Sequence, residues 1–303
     1  MTKPAQNSLF SANLICMASM LIWAAGLPAA DRIIPLLTPE HLNALRLFCA
    51  AAFLLPIWLI WEGSGPARRS NWLKGILVGS LIGLGAWFLI KGQAIGGAVT
   101  AAVISSTLPV VGIALEVALD GRKMTAAIII GLLLSLVGGL LALDSGAAGL
   151  SLGWGALICF ASVASFAVGS RLTITQFPDE TPLGRTAITL TGATIAATAV
   201  ALMQSATGGA ALSFAGWGWT EVLSLLLFSV GALGIAQLMW IISVERLGIG
   251  LSALHINAAP FYVMLILFAL GADWNWPQTG AAALVGLGVL IAQGLIPLPR
   301  MRR

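Results

Sequence analysis

The chain has 303 residues, 59% of them hydrophobic and only 9% charged, with fifteen Lys and Arg against eleven Asp and Glu and a net charge of +4. An ordinary soluble domain carries ~25% charged residues, so this composition excludes a soluble enzyme, a nucleic-acid binder and a disordered protein. At ~20 apolar residues per span, ten helices need ~200 residues, and the rest is too short for loops plus an extramembrane catalytic domain.

Apolar runs between polar breaks predict ten spans, at 10–30, 39–61, 71–91, 95–118, 124–143, 152–172, 181–204, 218–243, 249–271 and 276–297. The first run follows Met1–Ser8 without a basic region and is long enough to cross a bilayer, so it reads as a span and not as a cleaved leader. It holds Trp23. The second opens at Thr38-Pro39 and contains Asn43 and Arg46; the arginine reads as snorkelling to the outer interface. The third carries Gly75, Gly79 and Gly83, a GxxxGxxxG row that lets helices approach closely, and then Trp87. The fourth sets Ser105, Ser106 and Thr107 ahead of Pro109 near its middle, with Glu116 towards a wet end. The eighth holds Gln237 and Trp240, three apart and therefore on one face. The ninth holds His255 and Asn257 one turn before Pro260, followed by Tyr262, the only tyrosine. Breaks are short throughout; the longest, Ser205–Trp217, is mostly Gly, Ala and Ser. No run alternates as a barrel strand does. In hydrocarbon each backbone N–H and C=O must be satisfied within its own segment, so the spans are helices and the fold class is all-α integral membrane.

Basic residues in loops orient such a chain. With a cytoplasmic N-terminus the inner side holds Lys3, Arg68, Arg69, Lys74, Arg122, Lys123, Arg171, Arg185, Arg246, Arg300, Arg302 and Arg303, twelve of the fifteen, while Arg32 and Lys91 fall outside. An even span count returns the C-terminus to the cytoplasm. Trp58, Trp61, Trp72, Trp154, Trp217, Trp219, Trp274 and Trp276 fall at span ends, where an amphipathic ring is stable. Cys16, Cys49 and Cys159 all lie in spans and read as small hydrophobes, with no disulfide framework.

A shift of 143 residues lays the first half on the second: Leu14–Ser19 meets Leu157–Ser162, Ala24 and Gly26 meet Ala167 and Gly169, Thr38-Pro39 meets Thr181-Pro182, and Ala50 meets Ala193. After an insertion before span eight the shift becomes 151, and Gly83, Gly97 and Pro109 meet Gly234, Gly248 and Pro260. Each repeat holds an odd number of spans, so the second copy enters the membrane from the opposite side. That is the inverted design of secondary transporters, with the site near the midplane at the repeat interface. The expected units are 1–145 and 146–303. Pro109 and Pro260 remove a backbone hydrogen bond at equivalent points and are expected hinges.

Trp23-Ala24, Thr38-Pro39 with Leu45-Arg46, the proline of span four, the turn Asp120-Gly121-Arg122-Lys123 and the glycine-rich span five together resemble the EamA-type branch of the drug/metabolite transporter superfamily, over nearly the whole chain. In the second copy Asp273 occupies the turn without a basic partner. Within that superfamily the chain is most similar to YddG-like exporters of aromatic and other amino acids. The resemblance implies ten helices in two inverted five-helix repeats and a central cavity lined mainly by spans one, three, four, six, eight and nine.

Polar groups in mid-membrane are costly and usually face a cavity. The candidate substrate-binding residues are therefore His255, Asn257, Gln237, Trp240, Trp87, Trp23, Ser105, Ser106 and Tyr262. A histidine can hold a carboxylate when protonated, amides offer donors and acceptors to a zwitterion, and tryptophan faces can stack on apolar or cationic groups. Each has a plainer reading, as helix–helix glue or packing. Glu116 and Asp31 are the only plausible acidic proton carriers. No HExxH, Walker loop or CxxC occurs, so no metal, nucleotide or redox cofactor is expected. The expected protein is a multi-pass bacterial inner-membrane transporter exporting amino acids or related small amphipathic metabolites by alternating access. A drug or other metabolite exporter and an uncoupled facilitator or channel are the alternatives. Its partners are the small-molecule substrate and the lipid bilayer, with no nucleic acid, and a homodimer is compatible with the sequence.

Overall fold

The structure is a computed structural model that describes residues 6–142, 153–269, 271, 273–274 and 276–296. Lys3, Arg300, Arg302, Arg303 and the repeat boundary at 145–146 lie outside the described residues, as do the side chains of Asp31 and Pro260.

In chain order the helices are α1 (Gln6–Ile33), α2 (Pro39–Glu62), the short α3 (Ser64–Arg69), α4 (Trp72–Ser105), α5 (Leu108–Asp120), α6 (Ala126–Ala142), α7 (Trp154–Thr175), α8 (Pro182–Ala206), α9 (Trp219–Leu226), α10 (Ala236–Leu247), α11 (Ile249–Ala253), α12 (Ala259–Ala269) and α13 (Trp276–Ala292). A π-helical stretch, Leu227–Ile235, joins α9 to α10, and a 3-10 segment, Leu254–Ala258, joins α11 to α12. No strand occurs among the described residues. Six stretches are long and apolar enough to cross a membrane: Leu9–Gly26, Pro39–Glu62, Trp72–Ile95, Trp154–Thr175, Pro182–Ala206 and Trp219–Leu247. Ala126–Gly138, Ile249–Ala258 and Ala283–Ala292 are shorter apolar helices. The chain is an all-helical, multi-pass membrane protein.

The helix starts follow local chemistry. Thr38 caps α2 by accepting the His41 N–H at 3.4 Å, and Thr181 caps α8 by accepting the Gly184 N–H at 3.0 Å. Each is followed by a proline in the first turn, where a missing N–H costs nothing. The two helices run antiparallel: Thr38 Oγ1 donates to Gln204 Oε1 at 3.3 Å at one end, and Thr181 Oγ1 to Glu62 Oε1 at 2.7 Å at the other. Further antiparallel contacts join α4 to α7, and α1 to the π-helical stretch and α10. Helix α5 packs on α11, and α6 on α13.

Three departures from the sequence reading matter for the site. A break was expected between spans three and four near Gly92–Ala94, but α4 runs unbroken to Ser105. Glycine is not a stop signal where the backbone has no water to turn to. Gly97, a little further along α4, is matched in the second half by Gly248, which does end a helix, with φ 83°. The interruption in the first half comes instead at Ser106-Thr107, where Thr107 Oγ1 donates to the Ile104 carbonyl at 2.6 Å. Pro109 is the second residue of α5 and Pro260 the second of α12, so each proline opens the helix after an interruption rather than bending a continuous one. Glu116 was expected at a wet end but is 6% exposed; it accepts the Gly250 N–H at 3.1 Å and pairs with Arg122.

Candidate functional site

A cavity of about 800 Å³, counted to its open mouth, lies where these interruptions meet. Ser19, Met20 and Trp23 of α1, Gly85, Ala86 and Leu89 of α4, and Ser162, Val163 and Phe166 of α7 form much of its wall. Ala236, Gln237 and Trp240 of α10 face it too. Ser105 and Leu108, either side of the Ser106-Thr107 turn, and Ile256 of the 3-10 segment bring both interrupted regions to its edge. Proline cannot donate to the carbonyl four residues earlier. Those carbonyls belong to Ser105 and Ile256, both in the wall.

The wall is mostly apolar, and the hydroxyls of Ser19 and Ser162 in it are already engaged. Ser19 Oγ donates to the Ala236 carbonyl at 2.7 Å and Ser162 Oγ to the Gly85 carbonyl at 2.6 Å. Trp240 is 2% exposed; its Nε1 donates to Ser170 Oγ at 3.1 Å and its ring lies 5.7 Å from that of Phe166. Gln237 is buried, and its Nε2 has no acceptor. Among the described residues, the one ionisable side chain in the wall is Arg46. It is 4% exposed, its Nε donates to the Phe228 carbonyl at 3.3 Å, and its guanidinium carbon sits 3.9 Å from the centre of the Phe228 ring. The snorkelling expected from sequence is therefore wrong: the π-helical stretch supplies a carbonyl and an aromatic face deep in the bundle, and the side chain turns inward to them.

Trp23, Ser105, Gln237 and Trp240, four of the sequence candidates, line this cavity. The other five lie outside its wall. Trp87 donates through Nε1 to Glu40 Oε1 at 3.1 Å, and Lys91 bridges the same carboxylate at 3.5 Å while lying over the Trp87 ring. Ser106 is buried in the turn. Tyr262 is buried in the core formed with Cys16 and Trp240, its ring 6.2 Å from that of Phe261. His255 is buried within the 3-10 segment. Asn257 Nδ2 donates to Ser135 Oγ of α6 at 2.9 Å, so this amide joins two helices. A buried interhelical hydrogen bond in lipid is worth ~0.6–2 kcal/mol. Asn257→Ala is expected to lower the unfolding midpoint by about the same amount as Ser135→Ala, and the double variant by little more than either. Additive losses in detergent melts would show that the two side chains are not coupled.

Sequence reasoning overlooked Arg46, Phe166, Ser19 and Ser162 as wall residues. Ser19 and Ser162 were already aligned by the internal repeat. That alignment was the available signal.

The architecture defines a polytopic helical membrane protein with a mid-bundle cavity. Residues 10–143 match the EamA-like transporter family. The chain is also similar to an uncharacterized transporter of Bacillus subtilis (strain 168), YyaM, at 28% identity over 270 residues that cover 87% of each chain. A solved crystal structure superposes with a TM-score of 0.76 at 23% identity, covering 94% of this chain and 97% of its own, and so shares the fold.

Proposed function

We propose that the chain is a ten-span secondary transporter of two inverted five-helix repeats, 1–145 and 146–303, with both termini in the cytoplasm. It exports small amphipathic metabolites, amino acids among them, across a bacterial inner membrane by alternating access. The YddG-like resemblance favours the amino-acid reading.

One observation carries the mechanism: the contacts between the halves come in exchanged pairs. The offsets of 143 and 151 convert the Ser19–Ala236 hydrogen bond into the Ser162–Gly85 hydrogen bond. They also convert the approach of Gly234 to Ala50 into that of Gly83 to Ala193. Cavity residues pair the same way: Trp23 with Phe166, Ala86 with Gln237, Leu89 with Trp240, Ser105 with Ile256. Halves that grip each other through equivalent contacts can trade conformations at similar energy. This is the physical basis for opening first to one side and then to the other.

Purified protein in liposomes loaded with radiolabelled threonine, methionine or phenylalanine is expected to release label faster than empty liposomes. Release no faster than the control for all three sinks the amino-acid reading. Repeating the flux with and without a proton gradient separates coupled transport from facilitation.

A further inference from the structure

We propose that Arg46 and Gln237 form a carboxylate-binding subsite in the central cavity, and that the cargo is a small organic acid with an apolar or aromatic body. The proposal rests on the transporter reading above and specifies what its cavity selects.

Two buried arginines of this protein show the contrast. Arg185, 4% exposed, spends three N–H groups: Nε on the Phe177 carbonyl at 2.7 Å, Nη1 on Glu245 Oε1 at 2.7 Å and Nη2 on the Pro178 carbonyl at 3.0 Å. Arg46, equally buried, donates only through Nε to Phe228 and pairs with no Asp or Glu among the described residues. Its remaining N–H groups form the flat fork that fits a carboxylate with two parallel hydrogen bonds. A buried cation without a counter-charge is costly. Here the open side of that cation is a cavity, so an entering anion supplies what the fold does not.

Gln237 provides the independent observation. It lines the same cavity, is 5% exposed, and its Nε2 has no hydrogen-bond partner. Buried polar atoms are nearly always satisfied, and an exception calls for an explanation. A carboxylate between Arg46 and Gln237 takes donors from both. Neither the charge nor the amide is repeated in the other half: the offsets match Gln237 to Ala86 and Arg46 to Thr189. The rest of the wall, with Trp23, Phe166 and Trp240, suits an apolar or aromatic body. Among the described residues no carboxylate lines the cavity, so nothing in its wall calls for an ammonium on the ligand.

The test reads binding to the detergent-purified full chain by thermal shift and calorimetry, using 3-phenylpropionate, 3-phenylpropanamide and phenethylamine. The expected result is stabilisation by the acid and at least about tenfold weaker binding of the amide and the amine, as for a lost charge-assisted hydrogen bond. Arg46→Met is expected to abolish the preference for the acid, and Gln237→Leu to reduce it while leaving protein yield and melting near the parent values. Amide or amine binding as tight as the acid overturns the proposal, and so does an undiminished acid preference in Gln237→Leu. If Arg46→Met fails to fold, the wild-type panel and Gln237→Leu still decide. Binding is read without flux, so the two readings fail separately. Acid-selective binding in a protein that moves nothing overturns the transporter and keeps the subsite. Flux of threonine, methionine or phenylalanine without acid selectivity does the reverse.

Discussion

Gly79→Val is expected to abolish recovery of monodisperse protein. A Cβ at Gly79 would lie 2.5 Å from the Ala193 nitrogen and 2.8 Å from the Gly192 carbonyl carbon, and it would also press on the Thr189 carbonyl oxygen. From the other side, a Cβ at Gly192 would meet the Gly75 carbonyl carbon at 2.6 Å and Ile76 Cα at 2.7 Å. These are backbone atoms of two packed helices, α4 and α8, and no rotamer change clears them. Adding one methylene to a tight core costs ~1–3 kcal/mol where side chains yield. With backbone on both sides the expected cost exceeds ~4 kcal/mol, comparable to the whole stability of many domains. Helices in lipid associate through close packing, since no hydrophobic force draws them together, so separating α4 from α8 removes the source of their attraction. Gly286→Val in α13 is the control, because nothing lies within 4 Å of a Cβ built there. Size-exclusion chromatography and detergent melts compare the two. A Gly79→Val protein that elutes and melts like the parent would mean that α4 and α8 are not in backbone contact.

Trp240→Ala is expected to lower stability by about 3–5 kcal/mol, the usual cost of removing a buried aromatic ring, and to widen the range of solute sizes that the protein accepts. Trp240 fills the cavity wall, is anchored by its hydrogen bond to Ser170 and packs on Phe166. Truncation leaves a void continuous with the cavity and an unpaired Ser170 hydroxyl. Trp240→Phe keeps most of the ring and loses the hydrogen bond, so its expected cost is about 1 kcal/mol. Thermal unfolding ranks the variants. Equal midpoints for Trp240→Ala and the parent would remove this ring from the packed wall.

The multi-pass helical class was legible from composition alone, and the ends of α2 and α8 followed from Thr38-Pro39 and Thr181-Pro182. The fourth span was harder to place. Gly92, Gly96 and Gly97 look like punctuation in a sequence read against water, but α4 continues through them. The real interruption needs Pro109 together with the Thr107 side chain. Gln237 and Trp240, three apart on one helix, do line the cavity. Arg46 was not, because a nearly uniform apolar helix offers no polar stripe to orient it, and its partner, Phe228, is 182 residues away. Asn257 shows the opposite case. A mid-membrane amide beside a proline suggests a site, yet its hydrogen bond to Ser135 is visible only when α6 is in place.

The cavity wall is matched across the halves except where its chemistry is strongest. Arg46, Gln237 and Trp240 have only Thr189, Ala86 and Leu89 as counterparts. If the halves exchange shapes as proposed, a solute gripped by its head group would have a single berth there, with no mirror berth to be handed to. A substitution at that berth would then alter selectivity for inward and outward passage alike.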